Sequence, residues 1–206
     1  IVDPITVGEN ETSVKIDNLE YGYYLVYDNS ELSESSVRSA VMLTTVNKDA
    51  VVTLKANRPE VSKTVLENDG VTYGKGTSCM IGDDVTFKIE TIVPSHTLYT
   101  HYSYFVNDTL PDGVTLKNGT IKVYLEDLNT ELVEGTDYVL SVPGDDGASF
   151  KVDFSNSMNG DDQLEIGKKL MILYDAHVTA NIKAQEANVN TATLSYSNDP
   201  TNENSM

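Results

Sequence analysis

Between residues 60 and 197 the chain runs in short stretches of alternating apolar and polar residues, each closed by turn-forming chemistry. The stretches 60–66, 84–92, 101–109, 120–126, 137–142, 148–154, 169–179 and 188–197 read as strands. They are rich in valine, threonine and tyrosine, which suit a pleated, half-buried surface. Between them stand Asn68-Asp69-Gly70, Gly82-Asp83-Asp84, Pro111-Asp112-Gly113, Asn118-Gly119, Gly144-Asp145-Asp146-Gly147 and Asn159-Gly160. Glycine, asparagine and aspartate tolerate the left-handed backbone of tight turns, and proline presets φ. A short helix is expected over 180–187. Strands of this length and spacing predict an all-β chain whose sheets pack face to face as a sandwich.

Alternate residues of a strand share a face. Val61 and Val65 therefore point the same way as Lys63. The face of Tyr104, Val106 and Leu110 includes Asp108, and the face of Ala192, Leu194 and Tyr196 includes Asn190. A lysine, a carboxylic acid and an asparagine each intrude on an apolar face, where an unpaired polar group is costly. Two readings meet that pattern. One is a buried Lys63–Asp108 ion pair with Asn190 hydrogen-bonding nearby. The other is a self-formed isopeptide bond. Burial lowers a lysine's pKa and frees its lone pair, while a carboxyl group kept protonated polarises the asparagine carbonyl. Packing gives the amine and amide a high effective concentration, and ammonia leaves. Periodicity alone leaves both readings open.

Charge and cysteine content narrow the function classes. Acidic residues outnumber basic ones 32 to 14, for a formal net charge of −18. Nucleic acid and anionic lipid surfaces would be repelled. Cys79 is the single cysteine, so no internal disulfide and no multi-cysteine zinc site can form. It is expected as a small core or edge residue. No apolar run approaches a membrane span, and no signal-peptide pattern stands at Ile1.

Residues 1–57 read as further short strands, at 13–16, 23–27, and a pair at 40–45 and 50–54 joined by Asn47-Lys48-Asp49. Lys55-Ala56-Asn57-Arg58-Pro59 is the expected boundary with a second domain at 58–200. Residues 201–206 read as a linker toward a further domain. His96, His101 and His177 are too scattered for a metal motif, with His96 and His101 expected as exposed loop residues. The acid-rich turns at 144–147 and 161–165 lack calcium-loop spacing. No cofactor is implied, and no nucleophile–histidine–acid set for acting on external substrates is found.

Several stretches resemble one family. Pro59-Glu60-Val61-Ser62-Lys63-Thr64-Val65 and Ile81-Gly82-Asp83-Asp84-Val85-Thr86-Phe87-Lys88-Ile89 resemble the opening of the isopeptide-forming domain of Gram-positive, sortase-assembled fimbrial (pilus) shaft proteins. Tyr102 to Thr115 looks like that family's aspartate-bearing strand and the loop after it, Ile121-Lys122-Val123-Tyr124 like the next strand, and Asn188 to Pro200 like its closing strand. The resemblance implies an immunoglobulin-like sandwich of the CnaA/CnaB type at 58–200. It implies Lys63 as the amine, Asn190 as the acceptor and Asp108 as the catalytic acid, with Asn188 the rival acceptor. The bond is then the expected reading.

Residues 1–57, notably Asn18-Leu19-Glu20-Tyr21-Gly22-Tyr23-Tyr24-Leu25-Val26, look like the end of such a pilin's N-terminal domain. Shaft pilins of this kind carry a lysine near the end of that domain that a sortase uses to join subunits. Lys55 stands in a similar place; read from its neighbours alone it is a solvated lysine at a domain edge. The implied function is structural: a subunit of an extracellular, cell-wall-anchored fibre, partnered covalently by other pilin subunits and making no membrane contact of its own. The alternative is an adhesin or minor pilin binding a host ligand, which calls for an exposed patch at Val93, Leu98, Tyr99 and Tyr102.

Overall fold

The computed structural model describes residues 4–8, 13–28, 40–44, 50–52, 58–96, 99–159, 163–183, 186–200, 202 and 206. The chain divides into two compact units, Ile1–Asn57 and Arg58–Met206.

In the first unit, β1 (Tyr23–Tyr27) pairs antiparallel with β2 (Ala40–Thr44), Tyr23 opposite Thr44 and Tyr27 opposite Ala40. The sequence expectation that 40–45 pairs with 50–54 is corrected. Residues 50–52 are not strand, and 53–54 lie outside the described residues. The partner is instead the aromatic, β-branched run Tyr-Tyr-Leu-Val-Tyr, which supplies a full five-residue ladder. Ser13–Ile16 alternates but forms no strand.

The second unit opens with β3 (Ser62–Leu66), β4 (Tyr73–Gly74), β5 (Asp84–Ile92) and β6 (Tyr104–Thr109). Then come β7 (Val114–Leu116), β8 (Lys122–Leu125), β9 (Val139–Ser141) and β10 (Phe150–Asp153). After α1 (Ser155–Asn159) the chain ends in β11 (Lys169–Val178) and β12 (Thr191–Tyr196). One sheet has the order β4-β3-β5-β11-β7, with β8 also on β11; the other has the order β12-β6-β10-β9. The first and last long strands of the unit, β3 and β12, thus belong to different sheets.

The long strand β11 organises the first sheet. One edge pairs with β5 from Lys169↔Ile92 to His177↔Asp84, and the other is shared by β7 and β8. Its near-continuous apolar run Leu-Met-Ile-Leu-Tyr suits a central strand. Ile89, Leu170, Ile172 and Tyr174 from this sheet meet Tyr104, Val106, Phe150 and Val152 from the other, all at most 1% exposed. Burying each such side chain contributes roughly 1.5–3 kcal/mol.

The expected helix over 180–187 is not formed by its described residues. Residues 180–183 make a turn in which the Ile182 N–H donates to the Thr179 carbonyl, and Ile182 packs on Val65, Val85, Ala176 and Val178. The helix lies instead at Ser155–Asn159, just after β10. There the Asp153 carboxylate accepts from the Ser155 N–H at 2.9 Å, and Met158 fills the core.

Two loop expectations also change. His96 is buried, its Nδ1 2.9 Å from the Pro94 carbonyl oxygen and its Nε2 3.3 Å from Oε1 of Gln163, whereas His101 is exposed. Both ring nitrogens have partners, which is what lets a histidine sit in a loop core. Cys79 is exposed and lies in no strand.

Candidate functional site

Alternation within β3 carries Lys63 inward beside Val65. On that sheet Lys63 lies opposite Ile89, which itself faces Ile172 of β11. On the other sheet Tyr104, Val106 and Asp108 alternate inward from β6, all fully buried. Asp108 lies in the middle of its sheet, opposite Phe150 of β10 on one side and Ala192 of β12 on the other. Asn190 directly precedes β12.

These three residues come together. The Lys63 ammonium donates to Oδ2 of Asp108; the Lys63 side chain is 12% exposed and that of Asp108 0%. The second carboxylate oxygen, Oδ1, accepts from the Tyr174 hydroxyl at 2.9 Å. Nδ2 of Asn190 in turn donates to the Tyr174 oxygen at 2.6 Å. Asp108 therefore reaches Asn190 through a phenol, whereas the sequence reading had it address the asparagine carbonyl directly. Among the described residues Oδ1 of Asn190 is buried without a hydrogen-bond partner, so the carbonyl end of this amide is unsatisfied.

The walls are aromatic. Phe87 and Tyr174 stack with centroids 5.4 Å apart, and Phe150 meets Tyr174 edge-on at 4.8 Å. Lys63 Nζ is 5.2 Å from the Phe87 centroid and 5.4 Å from that of Tyr174. Two effects oppose each other on the amine. Burial disfavours the ammonium, and the Asp108 charge and hydrogen bond favour it. Burial is the larger effect, and the Lys63 pKa is pushed down to about 8. At neutral pH more of such an amine is uncharged than of an exposed lysine. Burial raises Asp108 too, against the pull of Lys63 and Tyr174, and it raises the Tyr174 hydroxyl above its usual range. Amine and carboxyl are both driven toward their neutral forms.

A groove of about 690 Å³ is lined by Lys63, Phe87 and Asn190 together with Val65, Val178 and Ile182.

Asn188 is exposed, and its Nδ2 donates to the carbonyls of Lys183 at 2.9 Å and Glu186 at 3.1 Å. Lys55 lies outside the described residues. Tyr174 escaped the sequence reading as a site residue because it continues the apolar face of Leu170 and Ile172. The available signal was its hydroxyl, since a buried phenol needs a partner. The patch that the adhesin alternative calls for at 93–104 is largely enclosed at its described residues. Val93 and Tyr102 are 1% and 2% exposed, Tyr99 is half-buried, and Leu98 lies outside the described residues.

No protein-family profile matches the chain, and no curated protein matches it in sequence. Solved structures match it in fold: the chain has the immunoglobulin-like β-sandwich fold of Gram-positive major pilins. It is similar to the pilus backbone protein RrgB of Streptococcus pneumoniae, at 22% identity and a TM-score of 0.52, covering 70% of this chain and 54% of that one. It is similar also to the T6 backbone pilin of serotype M6 Streptococcus pyogenes, at 18% identity and a TM-score of 0.61, covering 91% and 42%. A third is the major pilin SpaA of Corynebacterium diphtheriae, at 20% identity and a TM-score of 0.54, covering 87% and 44%. The SpaA structure is described as pointing to a modular pilus assembly stabilizing isopeptide bonds. The chain spans about half or less of the length of these structures, and the likeness is one of fold.

Proposed function

We propose that the chain is a structural subunit of a Gram-positive surface pilus, and that its 58–200 domain locks itself with a Lys63–Asn190 isopeptide bond promoted by Asp108. One observation carries this reading: Lys63, Asp108, Tyr174 and Asn190 form a single hydrogen-bonded chain, buried at Asp108 and Tyr174 and partly buried at its two ends, between the first and last long strands of the unit. The neutral Lys63 Nζ attacks Cγ of Asn190. The Nζ–Cγ bond forms, the Cγ–Nδ2 bond breaks, one proton leaves Nζ and one reaches Nδ2, and ammonia leaves. Asp108 takes the proton from the amine and gives one back, so it emerges unchanged. The reaction turns over once and acts on no external substrate.

Function follows from where the link sits. A covalent tie between β3 and β12 closes a loop around nearly the whole domain, so tension applied outside positions 63 and 190 bypasses the core. Such a module suits a fibre on a cell surface, joined covalently to other pilin subunits by a sortase. A ligand-binding adhesin has less support, because Val93 and Tyr102 are buried.

The test is the intact mass of the purified chain beside Lys63→Ala, Asp108→Ala and Asn190→Ala. The expected result is a wild type lighter than its calculated mass by one ammonia, full mass in every variant, and a branched Lys63–Asn190 peptide after digestion. Full mass in the wild type would leave only a buried polar cluster.

A further inference from the structure

We infer that the Tyr174 hydroxyl is a catalytic group of the cross-linking reaction, relaying a proton from Asp108 to the amide nitrogen that leaves as ammonia. This rests on the isopeptide reading of the site. The geometry points to it because both oxygens of Asp108 are already engaged, Oδ2 by Lys63 and Oδ1 by the phenol. No direct hydrogen bond joins Asp108 to Asn190 among the described residues; the path runs through the Tyr174 oxygen, 2.9 Å from one and 2.6 Å from the other.

The step needs such a path. An amide nitrogen does not depart as its anion, so it must be protonated as Cγ–Nδ2 breaks. Attack at Cγ ends the amide conjugation, so Nδ2, a donor to the phenol before reaction, becomes a proton acceptor. The neutral Asp108 carboxyl then takes the proton released by Lys63 on Oδ2 as it gives its own from Oδ1 to the Tyr174 oxygen, while the phenol's proton passes to Nδ2. Lys63 gains an acyl group and loses one of its two amine protons, Asn190 loses its amide nitrogen as ammonia, and Asp108 and Tyr174 end as they began. Burial keeps the phenol protonated, so it can only shuttle and does not collapse to phenolate. The ring is fixed for the task by the stack on Phe87 and the edge of Phe150. Its position on β11, opposite Phe87 in the β5 ladder, sets the hydroxyl between the two sheets.

The experiment follows ammonia loss by intact mass as full-length chain, recovered unfolded before it has reacted, is refolded at neutral pH. Wild type is compared with Tyr174→Phe, which keeps the ring contacts, and with chain carrying 3,5-difluorotyrosine at 174, which keeps the shape and makes the hydroxyl more acidic. The relay predicts Tyr174→Phe slower by about a hundredfold, in the range general acid–base groups supply, with the same branched peptide at the end. It also predicts a several-fold rate change for the fluorinated chain, which a merely packed hydroxyl would not give. Wild-type rates in Tyr174→Phe overturn the inference; should that variant fail to fold, a wild-type rate in the fluorinated chain overturns it. A wild type that keeps its ammonia defeats the isopeptide reading itself, whereas a reacting wild type with unaffected variants defeats only the role of Tyr174.

Discussion

Lys63 on β3 reaches across the core to hydrogen-bond Asp108 on β6, so a charge-capable pair joins the two sheets at a point where the carboxylate has no access to water. A pair so placed contributes little net stability as an ion pair, because desolving both groups offsets their attraction. Its value lies in the chemistry that desolvation permits.

Asn190→Ala leaves that pair in place and removes the acceptor. Closing a loop from position 63 to position 190 stabilises by roughly 4–5 kcal/mol on the chain-entropy account used for disulfides. The variant should lose about that much against wild type in chemical denaturation. A loss below about 1 kcal/mol would mean the wild type carries no covalent link.

Bond formation should depend on pH as a bell. The reactive pair holds one proton, shared between a lowered amine and a raised carboxyl. Acidification through the raised Asp108 pKa adds a second proton and makes the amine an ammonium, which cannot attack. Alkalinisation through about 8 removes the last proton and leaves no acid to serve the leaving nitrogen. Initial rates of ammonia loss across a buffer series check this; a rate still climbing above pH 9 would contradict it.

Phe150→Ala removes a fully buried ring that meets Tyr174 edge-on and lies opposite Asp108 in the β6–β10 ladder. A loss of about 3–5 kcal/mol is expected in thermal or chemical unfolding. Water entering the cavity should also restore the Lys63 pKa toward 10.5 and slow cross-linking, both measurable on the folded variant.

Gly113 and Gly70 make a matched pair. Both have positive φ, +82° and +72°, but a Cβ at Gly113 would lie 2.2 Å from the Ile182 backbone nitrogen, whereas one at Gly70 meets nothing within 4 Å. Gly70→Ala should show backbone strain alone, about 1 kcal/mol. Gly113→Ala should exceed it, by about 1–3 kcal/mol, since the 179–182 turn must shift off its Thr179–Gly113 hydrogen bond. Equal melting shifts in the two variants would show that the contact with Ile182 does not matter.

Alternation is a local property, and it carried a great deal here. It put Lys63, Asp108 and the strand after Asn190 on inward faces, and the glycine- and aspartate-rich turns marked where strands stop. A period of two says which face a residue takes, since one backbone step turns the side chain over. It does not say what stands across the core. That β1 pairs with β2, that His96 is enclosed by Pro94 and Gln163, and that a helix follows β10 all depend on partners distant in sequence or on which apolar anchor finds a vacancy. The sequence by itself determined an all-β sandwich with three misplaced polar groups. Only the tertiary structure decided that a fourth residue, Tyr174, links Asp108 to Asn190, because that hydrogen bond exists only once β11 and β6 face each other in opposite sheets.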